Sequence, residues 1–286
     1  MSSLDQFASV FNAAAKPVYQ HAEVEINKVL VVTDLEESQA KLYQQAIRNF
    51  LSVVDRGTDA EWRTVPGKDF TTVHDLIQLV EKERPDFIAT YRHLHSEAWR
   101  WPYSLGEHLD VLIQVTDSPV LVLPHPDRKG VPEHVLKDTT HVMAVTDRLV
   151  GDDRLVHYAV RFTQENKTLI LAHVEDEMVF NRYLDAISKI PEIDTDIARD
   201  AIMEKLLGEP REYISSCAKV LEKKRAKISI ESSVTVGHRL EHFQELLKEH
   251  QVDLMVMNSK DEDQLAMHGK AHPLAVELRS TPLLFL

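Results

Sequence analysis

The strongest constraint on how this chain can fold is a pattern that it states twice. An apolar, β-branched run ends in Val32-Thr33-Asp34, and a second ends in Val145-Thr146-Asp147. Far downstream of each comes a lone glycine, then a helix-length segment, then a proline opening a final apolar run. The pairs are Gly106 with Pro119 and Gly269 with Pro282, thirteen positions apart in both copies. The tripeptide alone decides little, because it recurs at Val115-Thr116-Asp117, where a helix is expected to end. The order of landmarks carries the argument for two versions of one α/β unit.

Apolar runs alternating with helical periodicity predict βαβ crossovers and parallel sheets. Residues 1–22 read as a helical lead-in, with Phe7, Val10 and Phe11 on one face. Lys28–Val32 reads as a strand buried on both faces. Helices are expected near 38–53 and 71–82, a strand at Asp86–Thr90, a helix from Gly106 to Val115, and a strand after Pro119. Residues 125–140, with Pro126, Gly130 and Pro132, form the linker. The second half repeats the scheme. It adds the strand Thr168–Val174, a helical stretch from Glu177 to Lys224 broken near Pro191 and Pro210, and the alternating strand Lys227–Val236. The Val-Thr-Asp runs are 113 positions apart but the glycines 163 apart, so the first half is expected to lack one strand-helix unit.

Bulk properties narrow the function classes. A length of 286 residues suits two domains, here 1–135 and 136–286, each able to bury a core. The net charge of −13 argues against a nucleic-acid partner, which needs clustered Lys and Arg. No apolar stretch approaches the roughly 20 residues that span a bilayer, and Met1–Ala15 lacks the basic and apolar regions of a signal peptide. The lone Cys217 fits a reducing cytoplasm and reads as an inert packing residue. Cytoplasmic location without a membrane partner is the expectation.

The early strand ending in aspartate, Leu171-Ala172-His173-Val174, Val236-Gly237 before a helix, and the doubled Gly-x12-Pro tail together resemble the universal stress protein family in its tandem form. The resemblance covers most of residues 27–124 and 140–286. It implies two Rossmann-like or flavodoxin-like three-layer α/β/α domains of the adenine nucleotide alpha hydrolase type, with parallel sheets, packed as a pseudo-dimer. Nucleotide-binding members carry a loop patterned Gly-x2-Gly-x9-Gly-(Ser/Thr) after the fourth strand. There glycines let the backbone approach phosphate, and a helix N-terminus favours an anion.

This chain departs from that pattern in both halves. The second half offers Asn258, Asp261, Gly269 two residues early, and Lys270 in the hydroxyl position. The first offers Tyr91, Leu94, Gly106 two residues late, and Glu107, whose carboxylate would repel phosphate. Candidate nucleotide-binding residues are therefore Asp147, His173, Asn258, Gly269 and Lys270. Their degenerate first-half equivalents are Asp34, Tyr91, Gly106 and Glu107. Each has a bland alternative: the aspartates as helix caps, the glycines as bends, Lys270 as a solvated side chain, His173 as packing.

Fifteen histidines invite a metal, yet neither His93-x-His95 nor His268-x3-His272 has an obvious ligand completing the shell, and no metal is expected. Trp99, Trp101 and Tyr103 suit an interface or a base-stacking platform, and Lys223-Lys224-Arg225 a solvated helix end. No nucleophile-and-base motif appears, so no catalytic residue is assigned. The expectation is a non-catalytic stress-response or regulatory protein holding ATP or AMP weakly or not at all. An adenine-nucleotide or small-anion sensor in the second half, and a nucleotide-dependent hydrolase or transferase, remain alternatives. Intramolecular pairing of the halves is implied, with a homodimer and a further protein partner left open.

Overall fold

Strands Lys28–Val32 (β1), Glu61–Val65 (β2), Phe87–Tyr91 (β3) and Val120–Leu123 (β4) come from the first half of the chain. His141–Thr146 (β5), Lys167–Asp176 (β6), Ile228–Gly237 (β7), Leu254–Met257 (β8) and Leu283–Phe285 (β9) come from the second. They form one sheet in the order β2-β1-β3-β4-β9-β8-β5-β6-β7 in a computed structural model. It describes residues 17–57, 59–100, 104–127, 131–132, 134–146, 149–191, 193–259 and 271–286.

All neighbouring strands run parallel except β4 and β9. Those two meet antiparallel, Leu121 opposite Leu284, and join the four-strand and five-strand blocks into a continuous sheet. Among the described residues the shorter first block has no counterpart of β7 or of the helix before it, as the unequal spacing predicted.

Among the described residues, eight α-helices flank the sheet. Glu37–Phe50 (α1), Asp153–Phe162 (α4) and Thr195–Lys223 (α6) pack on one face through Ile47, Phe50, Val156, Phe162, Tyr213 and Cys217. Val73–Glu83 (α2), Glu107–Val115 (α3), Arg239–Glu249 (α7) and Ala271–Glu277 (α8) pack on the other through Leu76, Leu109, Leu112, Phe243 and Leu274. Glu177–Ile187 (α5) lies against α6. Successive strand residues feed opposite faces, so Val29 and Val31 enter one core while Leu30 and Val32 enter the other. This doubly covered sheet explains why β1, β3, β4 and β8 read as unbroken apolar runs.

Local chemistry sets the element ends. Thr72 and Asp75 form a reciprocal capping box at the start of α2. That helix stops at Arg84, in the left-handed region at φ 46° and directly before Pro85.

Three expectations fail. Residues 17–22 are not helical; they belong to an extended segment reaching Asn27. Their N–H groups bond to side chains of the second half instead of to i−4 carbonyls. Tyr19 N–H donates to Ser216 Oγ (3.1 Å) and Gln20 N–H to Asp153 Oδ2 (3.1 Å), while the Tyr19 ring is buried beside Tyr213 and His157. The rest of the lead-in, with Phe7, Val10 and Phe11, lies outside the described residues. Pro210 does not break its helix: α6 runs 29 residues through it, because the proline is buried and Tyr213, Ile214, Cys217 and Leu221 hold the following turns. The β2 strand was not anticipated. Its sequence EWRTV alternates exposed and partly buried positions up to the buried Val65, as suits an edge strand.

Candidate functional site

In an open α/β sheet, ligands bind at the carboxyl ends of the strands where strand order reverses. The sheet has two such switch points, between β1 and β3 and between β5 and β8. The candidate residues Asp34 and Tyr91 stand at the first, and Asn258 stands at the second.

At the first switch point the chain closes the crevice with its own side chains. Tyr91, last in β3, is wholly buried, and its hydroxyl donates to Asp34 Oδ1. The Tyr91 phenol oxygen in turn accepts from Thr33 Oγ1 (2.7 Å) and from the Asp34 N–H (3.2 Å), so its one donor and two acceptor sites are filled. The other carboxylate oxygen, Oδ2, accepts the His95 N–H at 2.8 Å. Tyr43 of α1 meets the Tyr91 ring edge-on at 5.4 Å, and His125 meets it at 5.0 Å. Burial, then the neighbouring Asp34 carboxylate, pushes the Tyr91 phenol above its ordinary value, which keeps it a neutral donor. Burial lowers His125 and His93.

Gly106 sits at the N-cap of α3 with φ 93°, and an added Cβ would lie 2.8 Å from His93 Cα. The space over this helix start therefore belongs to the His93 backbone, whose N–H donates to Leu105 O. Glu107 follows in the first turn, exposed. Glycine is needed here for a left-handed bend and a close chain crossing. His93 and His95 do not converge: His93 packs on Gly106, while His95 stacks edge-on against Phe70 at 4.7 Å. Among the described residues no group of three His, Cys, Asp or Glu side chains is arranged to hold a metal ion.

At the second switch point Asn258 follows β8 and donates from Nδ2 to Asp152 Oδ2 at 2.6 Å. Asp152 also caps α4, accepting the Leu155 N–H, and burial raises its carboxyl above the usual range. Tyr91 and Asn258, matched in the sequence pattern, thus each donate to a carboxylate from another segment of their own half. His173 is not part of this pair. It lies on β6, across β5 from β8, buried, with Nε2 3.3 Å from Glu175 of its own strand. Asp147, Gly269 and Lys270 lie outside the described residues, as do His268, Trp101, Tyr103 and the Trp99 side chain.

Sequence reasoning missed Thr33, Tyr43, the His95 N–H, His125 and Asp152. Asp152 alone carried a local signal, a carboxylate directly before a helix. A separate groove of about 610 Å³ lies at the opposite, amino-terminal edge, lined by His21, Arg56, His157 and Arg161. Its most prominent cation, Arg161, is already committed to the Val24, Val53 and Val54 carbonyls. Cys217 is buried and burial pushes its thiol up to about 12, as suits a packing residue. No described helix is long and apolar enough to cross a membrane.

No protein-family model matches the chain, and no curated protein is similar to it at a significant level. Solved structures do match. A protein of unknown function from Pseudomonas aeruginosa PAO1 superposes with a TM-score of 0.51 at 11% identity, covering 91% of this chain and 92% of the other. A candidate universal stress protein from Pseudomonas aeruginosa UCBPP-PA14 gives 0.50 at 12% identity, covering 91% and 93%. Identity this low speaks to fold alone. At that level the resemblance read from the sequence holds: this chain has the α/β fold of that universal stress protein over 91% of its length.

Proposed function

We propose that this chain is a non-catalytic protein of the universal-stress type, acting in a stress response or its regulation. In this reading residues 1–135 and 136–286 are two domains of that type, packed as an internal pseudo-dimer, and ATP or AMP is held weakly or not at all. The observation that carries it is the closed first crevice, where Tyr91, Thr33, Asp34 and the His95 N–H satisfy one another. A nucleotide would have to displace a filled hydrogen-bond network and a buried ring. The His93 backbone over the start of α3 and the carboxylate of Glu107 in its first turn add support against a phosphate cradle.

Thermal unfolding with millimolar ATP, AMP and inorganic phosphate, each with and without magnesium, tests the reading, because a ligand of the native state raises the midpoint by mass action. No shift and no phosphate release is the expected result. A concentration-dependent rise that Asn258→Ala abolishes would transfer the assignment to a second-half nucleotide or anion sensor. Robust hydrolysis lost in Asp147→Ala would transfer it to a hydrolase or transferase.

A further inference from the structure

We propose that the outer edge of β7 is a homodimerisation surface, pairing antiparallel with β7 of a second copy about a two-fold axis through Ser232. This strand is ten residues long and ends the sheet; its only described strand partner is β6. A long edge with free N–H and C=O groups is a template for another strand unless proline, charge or a bulge blunts it. Here no proline or bulge intervenes, the ladder to β6 is unbroken from Ile228 to Gly237, and Glu231 is the single charge.

Backbone direction identifies the available groups. The Lys227 carbonyl accepts from Asn166 N–H on the β6 side. Groups alternate along a strand, so Ile228, Ile230, Ser232, Val234 and Val236 point their N–H and C=O outward. Arg211 donating to the Val234 carbonyl at 3.4 Å, from the far side, agrees. It is a contact long enough to yield to a strand.

The occupant follows from the residues. With Ser232 opposite itself, antiparallel pairing sets Ile230 against Val234 and Ile228 against Val236, β-branched residue to β-branched residue. Ser229 then faces Thr235, and Glu231 faces Ser233. The strand is a pseudo-palindrome in its chemistry, the self-complementarity that a two-fold interface requires. No like charges stand directly opposite. The two Glu231 side chains approach only diagonally, and each has His250 Nδ1 at 3.4 Å within its own chain. The half-buried apolar row under α6 would continue into the row of the copy. The net charge of −13 repels a second copy at long range, and this nearly uncharged edge adds little to that repulsion at contact.

Sedimentation of the full chain at micromolar concentrations should show a dimer, and Ser232→Pro should convert it to monomer. The Ser232 N–H points outward, so proline there removes a bond to the copy and none to β6. Ser232→Cys provides a test that does not depend on the proline variant folding. Residues opposite each other in a hydrogen-bonded antiparallel pair have Cα atoms about 5.5 Å apart, within disulfide reach. Mild oxidation should cross-link Ser232→Cys into a covalent dimer. Ser229→Cys should stay uncross-linked, since the register separates the two copies of that residue by about 20 Å. Cys217, buried, serves as the internal negative control. A monomeric wild type would overturn the proposal and leave the edge to a foreign strand. So would a dimer that Ser232→Pro leaves intact, or cross-linking through position 229 and not 232.

Discussion

Tyr91 and Asp34 show how two residues can turn a ligand crevice into part of the core. The phenol is fully buried, and three polar groups converge on its oxygen. Tyr91→Phe would keep the ring packing against Tyr43 and His125 and remove those bonds together. Hydrogen bonds to a charged acceptor contribute about 1.5–3 kcal/mol each, but the Asp34 carboxylate keeps its bond from the His95 N–H. A loss of about 1–3 kcal/mol in urea unfolding is the expected outcome, with the fold retained by circular dichroism. A stability equal to wild type would mean that water already serves these groups and that the crevice is open. The sequence pointed to Asp34 and Tyr91 through their place in the repeat. It did not reveal their bond, because Tyr91 lies 57 positions away and only the β1–β3 adjacency brings it there. The His95 N–H was illegible for a simpler reason: a backbone donor leaves no mark on residue identity.

Elements whose signal lies in their own period were readable, and those decided by tertiary partners were not. β1, β4, β5 and β8 announced themselves as apolar runs because helices cover both faces of the sheet. The EWRTV run of β2 needed β1 beside it to become a strand, and the segment before β1 was held extended by side chains of α4 and α6 that no local pattern could supply. One repeated device stood in plain view without being recognised. Asp86 and Asp253 each directly precede a strand, β3 and β8, and each clips the start of the neighbouring strand. Asp86 Oδ2 accepts the Asn27 and Lys28 N–H groups, at 2.8 and 3.0 Å. Asp253 Oδ2 accepts those of Thr140 and His141, both at 2.9 Å, and the Thr140 hydroxyl at 2.8 Å. Each returns its own N–H to the partner strand. The copies differ in solvent: Asp253 is 3% exposed, whereas Asp86 is open to water. Asp253→Ala strands three partly buried donors and should cost on the order of 2–3 kcal/mol, while water can replace much of what Asp86→Ala removes. Chemical denaturation of the two variants side by side checks this, and equal losses would show that burial does not separate the two clips.

At the scale of the whole molecule, the repeat and the energetics divide the chain differently. The pattern marks two units, yet both apolar cores draw on both halves: Phe87 meets Phe162 at 5.2 Å, and Leu121 and Leu123 share a core with Val256 and Leu284. Arg92, at the end of β3, donates to the Ala275 and Leu278 carbonyls at the end of α8. The extended segment before β1 lies on α4 and α6. β9 joins the two halves, since its three residues pair with β8 of their own half and with β4 of the other. Unfolding either half alone would therefore expose apolar surface of the other and strip one edge of β9, which favours a single cooperative transition. Leu284 is fully buried between Leu121 and Val256. Replacing it with alanine removes about 2–5 kcal/mol by lost transfer energy and the cavity left behind. In one cooperative unit that loss moves the entire transition, and probes in the two halves, the fluorescence of the three tryptophans, all in the first half, and hydrogen exchange at β6, shift together. Separate transitions, with β6 protected after the tryptophan fluorescence has lost its native signal, would show that the halves are independent domains joined by a weak seam.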